Sequence, residues 1–253
     1  MTEIKKTLQI IKARWPEAIL IIGIGLLSIP AMLLVTPSKI GCLESMVLFR
    51  WLTSIFSMVI ILMLITLRSG FLRTVYLESQ KRQSFLILLR TGLHFLWRMI
   101  VLGVLYWILL VMLIRLGIYL TYLVGKLVTS GETGIARNPF LINPLLVSAA
   151  NIILMKFILL IPALVIVLDC RAFESFKFLK KYRFRDAREL IALFCLQIVL
   201  GFLWMFLRTI CGTTTLRPIF EIGASVITHF ISLTITIMAV RFVASHDLVY
   251  DRA

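Results

Sequence analysis

A chain of 253 residues that is 60% hydrophobic, with a mean hydropathy of +1.02, is too apolar for an ordinary water-soluble domain, in which about 45–50% of residues are apolar. Only 15% of residues are charged, yet 27 lysines and arginines against 12 acids leave a formal net charge of +15. A nucleic-acid binder shares that charge but not that hydropathy, so the composition points to a multi-pass membrane protein with its basic loops on one side of a bilayer.

A spanning helix needs about 20 mostly apolar residues, so the chain has room for six spans in one membrane domain, 1–253. Residues 3–14 (EIKKTLQIIKAR) form a basic segment ahead of an apolar run from Glu17 to Thr36. That run is too long for a signal-peptide core and lacks an A-x-A-like cleavage site, which predicts an uncleaved first span over 17–36. Pro30 is expected to kink it, because proline removes a backbone donor and crowds the preceding turn. The second span is predicted over 46–67, with Arg50 and Trp51 as interfacial anchors. From Arg68 to Arg98, basic residues alternate with Phe71, Leu72, Val75, Tyr76, Phe85, Leu88 and Leu89. Such a mixture predicts helices lying on the membrane surface.

The third span is predicted over 99–124. Asn143 and Pro144, as N-cap and first helical residue, open a fourth over 144–168 that Pro162 is expected to kink near its far end. Asp186 and Glu189 have capping-box spacing and open a fifth over 189–207. A sixth follows over 219–243, leaving a short polar tail. Nineteen lysines and arginines then fall on the side of the two termini and the long loops and six on the other, with Arg115 and Lys156 inside spans. The positive-inside rule places both termini and both long loops in the cytoplasm. The expected fold is all-α, a polytopic six-helix transmembrane bundle with interfacial amphipathic helices in two cytoplasmic loops.

The loop from Cys170 to Arg188 is the most distinctive stretch. Read as a helix, it carries Phe173, Phe176, Leu179 and Tyr182 on one side and Glu174, Lys177 and Lys181 on the other. Lys177, Lys180, Lys181, Arg183 and Arg185 then either capture anionic lipid headgroups or an acidic partner, or serve only as a topology signal. The span end Ile166-Val167-Leu168-Asp169, the run Phe173-Glu174-Ser175-Phe176-Lys177-Phe178-Leu179-Lys180 and the capped span after it resemble a group of bacterial six-helix membrane proteins. That group includes the membrane domain attached to some glycerophosphoryl-diester phosphodiesterases and the YciC-like proteins. Its members typically carry an Ala-Leu-Lys-Arg-Ser-like helix, from which Ser175-Phe176-Lys177-Phe178 departs. The resemblance in hairpin layout covers roughly residues 46–208. It implies a helical membrane domain in a bacterial inner membrane and no catalytic residue, and the phosphodiesterase's catalytic domain has no counterpart in this chain.

In the sixth span, Ala224, Thr228, Ser232 and Thr236 recur at i, i+4, with Glu221, Ser225 and His229 in a second stripe. One reading is packing, since small and hydroxyl side chains suit helix–helix contact in lipid. The other adds Asn151 and Lys156 of the fourth span and Arg115 of the third. It gives a basic, hydroxyl-lined cleft for an anionic or lipidic substrate, with Glu221 placed to pair with Arg115. His94 and His246 are the histidines that share a depth, as a bis-histidine haem requires, but each also reads as an interfacial polar residue, and no cofactor is expected. Cys42 and Cys211 both fall in outer loops, where a disulfide is topologically allowed. The four cysteines have no metal-ligand spacing. Without a phosphate loop, dinucleotide fingerprint, HExxH or GxSxG, an enzyme is not expected. The expected function is a non-catalytic membrane component that binds anionic membrane lipids or a membrane-protein partner, and not nucleic acid. The alternative is a small transporter or permease subunit.

Overall fold

Long runs of Leu, Ile, Val, Phe and Met leave the backbone to satisfy its own hydrogen bonds, and within one segment only a helix does so. The computed structural model describes residues 2–34, 43–77, 81–128, 139–179, 182, 187–211 and 217–250, with side chains outside 28–53, 121–145, 205–220 and 246–253. Among the described residues there is no strand, and the helices are α1 (Glu3–Ala13), α2 (Trp15–Leu34), α3 (Leu43–Leu77), α4 (Phe85–Val128), α5 (Pro139–Ile153), α6 (Met155–Leu168), α7 (Ser175–Leu179), α8 (Arg188–Cys211) and α9 (Arg217–Tyr250). Among the described residues, three segments are long and apolar enough to cross a membrane: Ser54–Leu77, Phe85–Leu120 and Glu221–Ser245. A fourth arises if Leu146–Ile153 and Met155–Leu168, bent by 48° at Leu154, form one span.

The segment expected to lie on the membrane surface is instead the turn of a long hairpin. α3 runs on to Leu77 and α4 starts at Phe85, and Phe71, Leu72, Val75 and Leu88 are buried in the main core. The helix need not stop at its arginines because they find acceptors inside the protein. Arg68 reaches α9, and Arg73 donates to the carbonyls of Ile166 (2.6 Å) and Val167 (2.9 Å) at the end of α6. The hairpin is tight where Gly70 meets the Leu88 carbonyl and Gly92 meets the Thr66 carbonyl, approaches that leave no room for a side chain. Glycine permits such backbone contact between helices in an apolar environment.

The basic N-terminal segment is also docked. In α1, Thr7, Ile10 and Ile11 are buried, Glu3 pairs with Arg241 of α9 (3.2 Å), and the Ile4 N–H donates to Glu189 of α8 (3.0 Å). Glu189 therefore caps a neighbouring helix, satisfying one of its orphan amides; the Asp186 half of the expected capping box lies outside the described residues. Arg14 is fully enclosed, donates to Thr74 Oγ1 (2.8 Å), lies over the Phe71 ring and pairs with Glu17, which accepts the Gln83 N–H (2.7 Å).

Further expectations shift. α5 begins at Pro139, so Asn143 and Pro144 lie within it rather than at its start, and a bend of 48° falls at Leu154, ahead of Pro162 inside α6. Among the described residues of the 170–188 loop, the helix is the five-residue α7. Phe176 packs on Phe157 (5.6 Å) and Tyr182 is buried beside Phe242 (6.2 Å), while Phe173 is exposed. Burial against other rings thus takes two aromatics away from the expected lipid-facing stripe.

Enclosed side chains gather at one end of the molecule: Ala18 of α2, Leu67 and Phe71 of α3, Leu160 and Leu164 of α6, and Ile237 and Val243 of α9. Toward the other end, large apolar side chains such as Phe56, Met58, Met112, Ile153, Val199 and Ile227 are exposed. α4 is the extreme case, with Trp97, Trp107 and Met112 all exposed along its length.

Candidate functional site

Between the packed end and the open end lies a cavity of about 990 Å³, at the upper limit of the roughly 300–1,000 Å³ typical of ligand sites. Its walls come from α3, α4, α5, α6, α8 and α9 and are chiefly apolar, with Leu72, Leu102, Phe157, Ile158, Phe194, Phe202 and Ile235 among them. The polar groups are few: Arg68, Ser69, Tyr106, Ser148, Asn151, Gln197, Thr228, Ser232 and Thr236.

Arg68 is the charged group on this wall. It sits one helical turn after Leu64 and one before Leu72, on the face that α3 turns inward. Its Nη2 donates to the Ser232 carbonyl and hydroxyl (both 2.8 Å) and to the Thr236 hydroxyl. A guanidinium carries five N–H donors, and among the described residues Nε and Nη1 meet neither a hydrogen-bond acceptor nor a carboxylate. A cation fixed on one side and open to an apolar chamber on the other suits an anionic group with a hydrocarbon body. Elsewhere on the wall, the Tyr106 hydroxyl donates to Asn151 Oδ1 (2.6 Å), a neutral polar pair.

A smaller chamber of about 120 Å³ adjoins the first, and Arg68, Gln197, Thr228 and Ser232 line both. It adds His229, whose Nδ1 lies 2.8 Å from the Ser225 carbonyl oxygen.

The residues expected to form an intramembrane cleft are brought together only in part, His229 with Ser225 at the small chamber and Asn151 on the large one. Asn151 lines the large cavity and His229 the small one, whereas Arg115, Lys156, Glu221 and Ser225 line neither. Arg115 is exposed on α4, and among the described residues no ion pair joins it to Glu221. The i, i+4 stripe fares better: Thr228, Ser232 and Thr236 all face the cavity. Sequence reasoning missed Arg68 by assigning it to the loop; its place in the repeat Leu64, Arg68, Leu72 was the available signal. Of the basic loop cluster, Lys177 is exposed, and Lys180, Lys181, Arg183 and Arg185 lie outside the described residues, as does the Cys42 and Cys211 pairing. His94 is engaged elsewhere, and the His246 side chain is not among those described.

A second polar cluster closes the packed end of α6. Asp169, in left-handed backbone conformation (φ 52°), accepts from His94 Nε2 (3.0 Å) and Arg98 Nη1 (2.5 Å), with Arg73 at 4.0 Å. Partial burial pushes the Asp169 carboxyl up, but the hydrogen bonds and charges of His94 and Arg98 outweigh it and hold the group below the usual aspartate range. A depressed folded-state value means the link is complete above about pH 4 and is lost as pH falls below that. Asp169→Asn is expected to remove this acid-dependent part of the thermal stability. The loss stays within about 1 kcal/mol, because the cluster is solvent-exposed; a melting profile from pH 7 to pH 2 that matches wild type would refute the assignment.

Comparison of the chain with known protein families, with characterised proteins and with solved structures returns no match.

Proposed function

We propose that the chain is a six-span protein of the bacterial cytoplasmic membrane, with both termini cytoplasmic, that binds an anionic amphiphile inside its helical bundle. The observation that carries this reading is Arg68: a cation with open N–H donors on the wall of a cavity of about 990 Å³ that is otherwise mostly apolar. A charge buried against hydrocarbon is costly and needs a partner, and the partner that matches both the cation and the apolar walls is a molecule with an acidic head and a lipidic body. The reading is non-catalytic and agrees with the six-helix family the sequence resembles. It places lipid recognition inside the bundle, while the basic loop at Lys177 remains a surface for anionic headgroups or a membrane partner.

The test is native mass spectrometry of the full-length protein purified in a mild detergent. Wild type is expected to retain an anionic amphiphile, and Arg68→Gln to lose at least about tenfold of it, in line with roughly 1.5–3 kcal/mol for hydrogen bonds to a charged group. Equal lipid retention by the two proteins would overturn the reading.

A second reading, a small transporter or permease subunit, is favoured by the α5–α6 pair. Its two halves, bent by 48°, both contribute wall residues, Ser148 and Asn151 from one and Phe157 and Pro162 from the other. Interrupted helices beside a ligand chamber are a recurrent feature of transporters.

A further inference from the structure

We propose that the anion at Arg68 binds together with one proton, taken up on Nε2 of His229, so that the two enter the protein as a neutral pair. The inference rests on the reading of the cavity as a site for an anionic amphiphile.

The two chambers adjoin, and Arg68, Gln197, Thr228 and Ser232 line both. The tautomer of His229 follows from its partner. The Ser225 carbonyl can only accept, so Nδ1, 2.8 Å away, carries the hydrogen and Nε2 keeps the lone pair. The Nε2 edge of the ring lies against Gly25 of α2, where even a methyl group would collide with it. Glycine at that position is what gives the imidazole its place.

The groups that face His229 can be taken helix by helix. α2 presents Ile21, Ile22 and Gly25; α3 presents Leu64 and Arg68; α8 presents Gln197; α9 itself contributes Ser225, Thr228 and Ser232, with Glu221 two turns earlier. No carboxylate lines either chamber among the described residues. A proton on His229 and an anion on Arg68 carry opposite charges in adjoining chambers, and in a medium of low dielectric each favours the other. Linkage makes the effect mutual: the anion strengthens proton binding by the same factor as the proton strengthens anion binding. The proton comes from bulk water and leaves by the same route, and the bond formed is N–H on the imidazole.

The experiment uses tritiated hexadecanesulfonate, whose charge is constant over the range in which an imidazole titrates, and full-length protein in a nonionic detergent. Affinity is measured at about pH 5.5 and about pH 8, and proton uptake is followed with an indicator dye in weak buffer. Wild type is expected to bind at least about fivefold more tightly at the lower pH, the low end of ordinary coupling, and to take up a proton as the probe binds. His229→Gln and His229→Asn should bind at both pH values with the weaker affinity that wild type shows at the higher pH, and without proton uptake. His94→Gln should behave as wild type, which excludes the Asp169 cluster as the source. Arg68→Gln should lose the probe at both pH values. Equal wild-type affinity at both pH values without proton uptake, or a flat profile in His94→Gln while the His229 variants keep theirs, would overturn co-binding and leave the cavity reading intact. A wild type that binds the probe at neither pH would overturn both.

Discussion

Gly92→Ala will destabilise the folded protein by about 3 kcal/mol or more, as will Gly70→Ala. At each position the added methyl overlaps a main-chain carbonyl oxygen of the facing helix, Thr66 for Gly92 and Leu88 for Gly70. A flexible side chain can swing aside, but a helical carbonyl moves only with its helix, which puts the cost at the upper end of what overpacking normally exacts. The crossing is tied further by Ser69, whose hydroxyl donates to the Thr66 carbonyl at 3.0 Å and lies 3.4 Å from that of Gly92. Gly223→Ala is the control, since no atom of another described helix stands within 4 Å of the new methyl. It is expected to stay within about 0.5 kcal/mol of wild type. Reversible unfolding in mixed micelles measures both, and a Gly92→Ala protein as stable as Gly223→Ala would show that the two helices are not in contact there.

The second large effect is expected at Arg14 and Glu17. The pair is enclosed at the junction of α1, α2 and α3, with side-chain exposures of 0% and 7%, and Arg14 Nε and Nη1 have no hydrogen-bond partner there. Removing one member leaves an uncompensated charge in a dry site, at a cost of about 3–5 kcal/mol. Arg14→Met and Glu17→Gln should each fall in that range. The double variant Arg14→Met with Glu17→Met should lose less than either single change, because a buried pair replaced by apolar groups of similar volume is often neutral. A double-mutant cycle on unfolding free energies decides the matter: simple addition of the two losses would mean that the charges do not interact.

What was legible in the sequence depended on how local its cause is. The apolar segments over 46–67 and 219–243 fall within α3 and α9, because hydropathy is a property of the segment itself and needs no partner. The inward face of α9 was legible for the same reason, through hydroxyls spaced by four. Arg68 was not, because a charge after some twenty apolar residues looks like the end of a span unless its acceptors are known. Those acceptors, Ser232 and Thr236, are 164 and 168 residues away. Glu189 shows the same competition, its capping-box spacing being local while the amide it accepts from belongs to Ile4, 185 positions earlier. The bend at Leu154 had no local signal either: Pro162 lies further on inside α6, and at the bend the Leu154 N–H still bonds Ala150 (2.8 Å) and the Leu154 carbonyl still accepts from Ile158 (2.9 Å). Arg115 and Lys156 were drawn into the site on estimated depth alone, and depth does not say which way a side chain points around its helix.

The length of α4 makes a demand on the lipid around it. Its apolar stretch from Phe85 to Leu120 has 36 residues, roughly 54 Å at 1.5 Å per residue, against a hydrocarbon layer of about 30 Å. A tilt of about 40°, the steep end of what spanning helices adopt, still leaves an excess of roughly 10 Å. The first turns, which carry Leu86, Leu93 and Trp97 beside Arg90, His94 and Arg98, then stand in the headgroup layer, where the solvent-exposed Asp169 cluster also places them. With those turns outside it, the stretch from Met99 to Leu120 spans roughly 33 Å at 1.5 Å per residue, close to the thickness of the hydrocarbon layer.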